Sequence, residues 1–310
     1  MPLEQNMALA IQENARLIEE DGGQPADLLS RRAQLNRLAR FWAEGAPAIA
    51  HVEDLTIPGE PSLPARLYRP EAEGDAAILF VHGGGWQQGS IDASDWQARG
   101  LAAASGLPVL SISYRLAPEH PFPAPLQDVV RAIEWAMVGG VFRGRPCNRL
   151  MLSGASAGAN LALGAWLKLR DEGRPLPVAM GLFYGVYGDD LDTPSYREFG
   201  DGRFGLPRDA MATYFADYLP DPEMRNSPYA VPMKADLKGL PPLWLGVAEL
   251  DVLRDDSRWL AERLASSGTT AEVVEYEGMV HGFCARARMV PAAQSALADC
   301  GKFLRTIVEI

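Results

Sequence analysis

Short apolar runs alternate with amphipathic stretches over most of the chain, and this alternation predicts its architecture. Continuous apolar runs are typical of strands that are buried on both faces of a parallel sheet. The predicted strands occupy residues 76–82, 107–114, 148–154, 176–184, 241–248 and 271–277. Apolar residues at helical spacing predict helices at 93–105, 125–138, 157–172, 255–267 and 291–307. Strands that alternate with helices in this way predict a doubly wound α/β fold.

Three segments depart from this alternation. Residues 1–45 carry apolar residues at helical spacing, interrupted at residues 21–23, and predict two helices. The segments HVEDLTI and LPARLYRP, joined through residues 58–59, predict a hairpin at one edge of the sheet. Residues 185–235 carry aromatic side chains among Gly, Pro and Asp. They predict a long irregular insertion of the kind that forms lids or binding segments.

Charge and composition exclude several classes of function. The 310 residues include 40 acidic and 29 basic side chains, which give a formal charge of −11. A negative surface repels phosphate backbones and anionic lipids, so we expect no nucleic-acid partner and no membrane partner. No apolar run approaches the ~18 residues that a membrane-spanning helix needs, and the N-terminus lacks the pattern of a secretion signal. We therefore expect a cytoplasmic protein.

The cysteines argue against a disulfide framework and against a zinc site. The three cysteines are Cys147, Cys284 and Cys300, and no CxxC pair occurs among them. A small odd number without paired spacing is typical of reduced, buried thiols in an intracellular protein. The sequence therefore predicts no metal site.

A GxSxG motif at residues 154–158 stands between a predicted strand and a predicted helix. A serine on such a sharp turn projects its Oγ out of the sheet, and the start of the following helix favours negative charge near that oxygen. Ser156 is therefore the candidate nucleophile. Because the motif is short, a glycine-rich loop without chemistry is the alternative interpretation.

The histidines narrow the choice of a general base, because the sequence contains only four of them. In serine hydrolases built on a doubly wound sheet, the catalytic residues follow the order serine, acid, histidine. Only His281 follows Ser156 in the chain. It lies in a predicted loop after strand 271–277, where a base reaches the carboxyl edge of a parallel sheet.

The acid is expected between the serine and the histidine, after a buried strand. Asp251 occupies the loop position after strand 241–248, whereas Glu249 is closer to the strand end and is the second candidate. A carboxylate in that loop would accept a hydrogen bond from the Nδ1–H of the histidine. Asp255 and Asp256 are predicted to occupy the first turn of the next helix, where negative charge is favourable.

Three consecutive glycines follow the predicted strand 76–82, in the segment His82-Gly83-Gly84-Gly85-Trp86. Glycines allow backbone N–H groups to converge on a developing oxyanion, and the amide of Ala157 can join them. His82 is expected to hold this loop by hydrogen bonding. A phosphate-binding loop is the alternative, but neither the GxxxxGK[ST] nor the GxGxxG pattern occurs here.

Taken together, these motifs resemble the hormone-sensitive-lipase family of α/β-hydrolases, to which many microbial carboxylesterases belong. HGGGW at 82–86, YRLAPEHPFPAPLQD at 114–128, GASAGAN at 154–160, the Asp251 segment and HGF at 281–283 occur in the family's order and approximate spacing. The resemblance covers residues 50–310. Two positions depart from the family's pattern, because Ala155 and Ser113 stand where the family commonly has aspartate.

The resemblance implies an eight-stranded, mostly parallel sheet with helices on both faces and a helical cap. It implies that residues 1–45 supply cap helices and that residues 46–310 form the catalytic domain, with the insertion at 185–235 completing the cap. It also implies hydrolysis of small-molecule esters with short or medium acyl chains, through an acyl-enzyme and without a cofactor. An arylformamidase, amidase or lactonase with the same fold and triad is the alternative function.

Five aromatic residues are candidates for contacting the substrate, namely Trp86, Phe41, Trp42, Tyr187 and Phe215. Aromatic side chains also pack in hydrophobic cores, so the sequence leaves both roles open. The resemblance further implies a homodimer that forms through the predicted edge strand at 271–277, since an edge strand presents unpaired backbone groups.

Overall fold

The predicted apolar strands lie in one sheet in the computed structural model of the chain, which describes residues 2–71, 74–269 and 271–309. Within these residues the sheet has eight strands. In chain order they are β1 (His51–Ile57), β2 (Leu63–Arg69), β3 (Ala76–Val81), β4 (Val109–Ile112), β5 (Arg149–Ala155), β6 (Met180–Phe183), β7 (Leu243–Leu250) and β8 (Ala271–Val280). Their order across the sheet is β1-β2-β4-β3-β5-β6-β7-β8.

Most neighbouring strands are parallel, and only β2 runs antiparallel to its two neighbours, β1 and β4. Every residue of β3 and of β4 is buried, as their continuous apolar sequences require for strands covered on both faces. The predicted hairpin of β1 and β2 lies at one edge of the sheet, and β8 lies at the other. The predicted mostly parallel sheet of eight strands is confirmed.

Within the described residues the sheet is accompanied by nine α-helices. They are α1 (Gln5–Glu20), α2 (Leu28–Ala43), α3 (Asp95–Ser105), α4 (Ala124–Trp135), α5 (Ala157–Asp171), α6 (Pro194–Phe199), α7 (Arg208–Tyr218), α8 (Arg254–Ser266) and α9 (Pro291–Glu309). The crossover through α3 advances toward β1, whereas the crossover through α5 advances toward β8. Right-handed crossovers that advance in opposite directions place their helices on opposite faces. In the described part of the chain, no helix combines the length and the hydropathy that crossing a bilayer requires.

The carboxyl ends of four parallel strands bring the candidate catalytic residues to one edge of the sheet. His82 follows β3, Ser156 follows β5, Asp251 follows β7 and His281 follows β8. Because parallel strands end on the same side, residues that are far apart in the sequence become neighbours there.

Residues 185–235 are more regular than the sequence pattern indicates, since they contain α6, α7 and two 3₁₀ turns. Thr193 caps the start of helix α6, because its side chain accepts a hydrogen bond from the amide of Tyr196 at 3.3 Å. Pro194 occupies the first helical position. Threonine at the N-cap and proline at the first position are both favoured in helices. The expectation of an irregular segment is corrected accordingly.

One buried side chain on α5 holds both ends of this insertion. Asn160 Nδ2 donates hydrogen bonds to the carbonyl oxygens of Val186 and Ala230, each at 2.9 Å. Asp256, at the start of α8, accepts hydrogen bonds from the amides of Tyr187 and Gly188 at 2.7 and 2.8 Å. These contacts fix where the insertion leaves the sheet and where it returns.

Replacement of Asn160 by alanine is expected to lower the free energy of unfolding by about 2–4 kcal/mol, because it leaves two buried carbonyl groups without a donor. Urea unfolding of the purified variant measures this loss. The control is Asn226→Ala, which removes an exposed amide that bonds only to Glu223 in its own turn and is expected to cost less than about 0.5 kcal/mol. Equal losses in the two variants would contradict the tethering role.

Candidate active site

Ser156 occupies a strained turn between β5 and α5, with φ 56° and ψ −123°. L-residues rarely adopt this left-handed region, and strain of this kind is typical of functional sites. The turn requires glycine at position 158, because a Cβ there would lie 2.1 Å from the carbonyl oxygen of Val81. The sharp strand-to-helix turn that the GxSxG motif predicts is therefore present.

A continuous chain of hydrogen bonds joins Ser156, His281 and Asp251. His281 Nε2 lies 2.8 Å from Ser156 Oγ, and His281 Nδ1 lies 2.8 Å from Asp251 Oδ2. The second oxygen of Asp251 accepts a hydrogen bond from the amide of Leu253 at 3.0 Å, and the side chain is buried. A carboxylate on the Nδ1 side holds the proton there and leaves the lone pair of Nε2 facing the serine hydroxyl.

The second candidate for the acid has a different partner. Glu249 Oε2 accepts a hydrogen bond from the amide of Gly278 at 2.7 Å, so Asp251 is the carboxylate in contact with the histidine. Asp255 and Asp256 lie in the first turn of α8, as predicted. Burial raises the pKa of Asp256 to about 6.

The loop that begins at His82 packs directly against the serine turn. A Cβ at Gly83 would lie 2.7 Å from the carbonyl oxygen of Ala155 and 3.1 Å from Ser156 Cβ. In the described residues, the amides of the three consecutive glycines and of Ala157 donate to no backbone carbonyl. Three of these four amides therefore belong to a loop that packs against the serine turn and, within the described residues, have no backbone acceptor.

His82 holds this loop through its side chain, as predicted. Its Nδ1 donates to the carbonyl oxygen of Gly83 at 2.9 Å. The ring stacks on Tyr114 with centroids 4.4 Å apart, and the Tyr114 hydroxyl donates to the carbonyl oxygen of His82 at 3.0 Å. Burial lowers the pKa of His82 to about 4, so the imidazole is neutral at neutral pH.

A cavity of about 510 Å³ adjoins Ser156 and His281. Helices α1 and α2, the glycine loop, the insertion and the turn after β8 all contribute to its wall. Its larger apolar and aromatic lining residues include Met7, Ile11, Leu35, Trp42, Trp86, Tyr184, Phe204, Leu206, Met211 and Tyr214. The volume is within the range of about 300–1,000 Å³ that is typical of small-molecule sites.

Two of the five predicted aromatic residues, Trp86 and Trp42, line this cavity. The other three lie outside its lining. Phe41 packs under a guanidinium 3.7 Å from its ring, Tyr187 is fully buried, and Phe215 packs against Trp86 with centroids 5.5 Å apart. Neighbouring residues on a helix point in directions about 100° apart, so Phe41 and Trp42 cannot both face the cavity.

Tyr184 and Tyr214 line the cavity but were not predicted from the sequence. Tyr184 follows β6 with a φ of 37°, and its ring meets the His281 ring at 5.1 Å, edge to face. Its position at the end of the predicted buried strand 176–184, at the edge that carries the other site residues, is the signal that could have identified it.

Neither a metal-binding cluster nor a disulfide occurs in the described residues. No group of three or more His, Cys, Asp or Glu side chains is arranged there to hold a metal ion. Cys147, Cys284 and Cys300 are free and buried. Burial raises the pKa of the Cys284 thiol well above its usual range, which keeps this neighbour of His281 protonated.

Comparison with known proteins places this geometry in a family. The α/β-hydrolase-fold family matches residues 78–285. Carboxylesterase NlhH of Mycobacterium tuberculosis is 36% identical over 253 residues, which cover 79% of each chain. A hyperthermophilic esterase from the archaeon Pyrobaculum calidifontis superposes with a TM-score of 0.89 at 33% identity, over 99% of each chain. An esterase of the bacterial hormone-sensitive-lipase family superposes with a TM-score of 0.87 at 28% identity, over 99% of this chain and 100% of the other.

The chain belongs to the hormone-sensitive-lipase family of α/β-hydrolases. This hydrolase departs from the family's common pattern at Ala155 and Ser113. Ala155 is buried beside Ser156 and lines the cavity, while the amide of Ser113 donates to the carbonyl oxygen of Pro64 at 2.9 Å. The hydrogen bonds between Ser156, His281 and Asp251 are formed without an acid at either position.

The stability of the hydrolase is expected to fall in acid because of His82. Since its folded-state pKa is about 4 and an unfolded histidine titrates near pH ~6.5, the unfolded state binds the proton more tightly. The stabilisation is complete above pH ~6.5 and is lost as the pH falls toward 4, by roughly 3 kcal/mol in all. In His82→Asn, the amide replaces the Nδ1–H donor and does not titrate.

Urea unfolding between pH 4.5 and 7.5 measures this effect. The wild-type enzyme is expected to lose more stability than His82→Asn over that interval, although the variant starts from a lower value. His120→Asn is the control, because this histidine lies on the exposed surface. Parallel pH profiles for the wild type and His82→Asn would contradict the prediction.

Proposed function

We propose that the protein is a serine carboxylesterase in which Ser156 is the nucleophile, His281 the general base and Asp251 the acid that orients the base. The observation that carries the proposal is the chain of two 2.8 Å contacts that joins these three side chains. Relatives named as a carboxylesterase and an esterase, at 36% and 33% identity, support ester hydrolysis as the reaction.

Acylation begins when Ser156 Oγ attacks the carbonyl carbon of the ester while His281 Nε2 accepts the hydroxyl proton. His281 then gives this proton to the alcohol oxygen as the carbon–oxygen bond breaks, which leaves the acyl group on the serine. Water then hydrolyses the acyl-enzyme. His281 takes a proton from the water as its oxygen attacks the acyl carbon, and returns that proton to Oγ as the carboxylic acid leaves. Asp251 stabilises the imidazolium that forms in both halves.

The tetrahedral intermediates carry a negative oxygen, and we propose that Gly83, Gly84, Gly85 and Ala157 supply its donors. Amides without a backbone acceptor, in a loop that packs against the serine turn, support this assignment, since fixed donors require no reorganisation when the charge develops. Ala157 is also the first residue of α5, and the helix N-terminus favours negative charge at this point.

The alternative functions use the same residues. An arylformamidase, an amidase or a lactonase also proceeds through an acylated serine, so the triad alone does not separate these reactions from ester hydrolysis. The names of the relatives favour the esterase. A panel of matched esters, anilides and lactones assayed at equal concentration distinguishes the classes.

Ser156→Ala and His281→Ala are each expected to lower kcat by several orders of magnitude, because the members of a triad act as a unit. Asp251→Asn is expected to lower kcat strongly while leaving KM less affected, since it removes the partner that orients the base. Covalent labelling by an organophosphate, mapped by mass spectrometry, identifies the nucleophile. Full activity in Ser156→Ala, or a label on another residue, would overturn the assignment.

We further propose that residues 1–45 and the insertion at 185–235 form a cap over the catalytic domain of residues 46–310. Side chains from both segments in the cavity wall support this division, among them Leu35 and Tyr214. A hydrogen bond also joins α2 to the loop that follows β3, because Arg32 donates to the carbonyl oxygen of Gln87 at 2.6 Å. A wall built from a cap limits the length of the acyl chain and excludes water from the oxyanion donors.

The family resemblance implies a preference for acyl chains of about two to eight carbons, and we expect kcat/KM to fall for chains that extend beyond the pocket. A p-nitrophenyl ester series from acetate to palmitate measures this preference. Leu35→Trp narrows the cavity and is expected to lower kcat/KM for octanoate about tenfold more than for acetate. Leu29→Trp, on an exposed part of the same helix, is the control. Palmitate or long-chain triglycerides as the best substrates would contradict the closed pocket.

The expected partners are small-molecule esters, and we propose the cytoplasm as the location. Three free, buried thiols are suited to a reducing compartment.

We also propose that β8 forms a homodimer contact. Among the described strands it pairs only with β7, and Val273 on it is 41% exposed. Acidic composition, with a formal charge of −11, opposes binding to nucleic acid.

A further inference from the structure

Arg286 lies in the wall of the cavity that adjoins the reactive serine, and no carboxylate of the described residues pairs with it. It lies in the turn that follows His281 and lines the cavity together with it. Within the described residues its hydrogen bonding is limited to a long contact of 3.4 Å with the carbonyl oxygen of Ala285, and it takes part in no ion pair. The mechanism proposed above does not use this guanidinium.

Two arginines near Arg286 form ion pairs with carboxylates, whereas Arg286 forms none within the described residues. Arg288, two residues along the chain, forms an ion pair with Glu44 at 2.7 Å. Arg203, which also lines the cavity, forms an ion pair with Asp201 at 2.7 Å. A buried or half-buried charge without a partner is unfavourable unless a ligand supplies one.

The charge of the cavity opposes the charge of the whole chain. The sequence has 40 acidic and 29 basic residues, yet no aspartate or glutamate is among the described residues that line the cavity. Its charged lining residues are Arg203 and Arg286. The cavity is therefore electrostatically complementary to an anion, although the surface of the protein is not.

The guanidinium is held in place by the N-terminal helices. Arg286 lies over the ring of Trp42, 4.3 Å from its centroid. The indole Nε1 of Trp42 donates to Asn14 Oδ1 at 3.2 Å, so the Nδ2 donors of Asn14 remain available, and Asn14 also lines the cavity. Burial lowers the pKa of Arg286 to about 10, which leaves it a poorly hydrated cation at neutral pH.

We propose that the preferred substrates are esters that carry a carboxylate, such as half-esters of dicarboxylic acids, and that Arg286 binds this carboxylate. The inference rests on the proposed esterase function and names its substrate class. The planar guanidinium matches a carboxylate with two parallel hydrogen bonds. Asn14 Nδ2 offers a further donor on the same side of the cavity. Arg286 is thus a specificity-determining residue and takes no part in the bond-breaking steps.

The test compares carboxylated and neutral esters within each enzyme preparation. One series carries the carboxylate on the acyl side, as monoethyl succinate, glutarate and adipate, each paired with the ethyl ester of the monoacid of equal length. A second series carries it on the alcohol side, as 3-carboxypropyl acetate paired with butyl acetate. The measured quantity is the ratio of kcat/KM for the carboxylated ester to kcat/KM for its neutral partner.

In Arg286→Met this ratio is expected to fall about 10- to 100-fold relative to the wild type in at least one series, as the loss of a charge-assisted contact predicts. Arg286→Lys keeps the charge without the planar fork and is expected to show a smaller fall. Arg288→Met is the matched control, because Arg288 lies outside the cavity lining, and it is expected to keep the wild-type ratio. The series that responds identifies the side of the ester that faces Arg286.

An unchanged ratio in Arg286→Met and in Arg286→Lys, in both series, would overturn the inference and leave Arg286 a packing partner of Trp42. Should Arg286→Met fail to fold, the lysine variant still reports the ratio. Failure of the proposed function gives a different result, namely ester hydrolysis that persists in Ser156→Ala. Serine-dependent hydrolysis with a ratio that is insensitive to Arg286 refutes the substrate class alone.

Discussion

The close approach of α5 to the carboxyl end of β3 sets the geometry on which the site depends. A Cβ at position 158 would lie 2.1 Å from the carbonyl oxygen of Val81, and one at position 154 would lie 2.5 Å from the carbonyl oxygen of Gly158. Only glycine fits this backbone at both positions. At this separation Ser156 adopts its positive φ, and the loop that starts at His82 comes alongside it. A side chain at either position would push the helix, with the amide of Ala157, away from that loop.

The contact between Asp251 and His281 depends on the register of two neighbouring strands. Leu250 on β7 pairs with Val280 on β8, so the residues that follow them leave the sheet side by side. The register shifts between Ala248 and Leu250, and the residue at this shift, Glu249, turns its carboxylate to the amide of Gly278 instead. A bulge re-aims side chains in this way. The choice between the two candidate acids is therefore made by strand pairing.

The sequence predicts the parts of the molecule that local pattern determines. Continuous apolar runs identify the buried strands, and the order of serine, acid and histidine identifies three residues that meet at the sheet edge. The insertion is predicted less well, because buried side chains such as Asn160 and Asp256 hold it from outside its own sequence. The aromatic lining is also predicted poorly. Which face of α2 meets the cavity depends on how the helix docks, so the pattern at Phe41 and Trp42 does not decide between them.

The chain as a whole is acidic, but the charged side chains that line the cavity are cationic. Charge therefore affects the approach of an anionic substrate and its binding in the cavity in opposite ways. A formal charge of −11 slows the approach of an anionic substrate, but salt screens this repulsion beyond a Debye length of about 8 Å. Inside the cavity the same anion meets Arg286 at contact distance, where the attraction is strongest and salt screens it least. Discrimination by charge therefore arises in the bound complex and not during the encounter. This fits a guanidinium that lines the same cavity as the reactive serine.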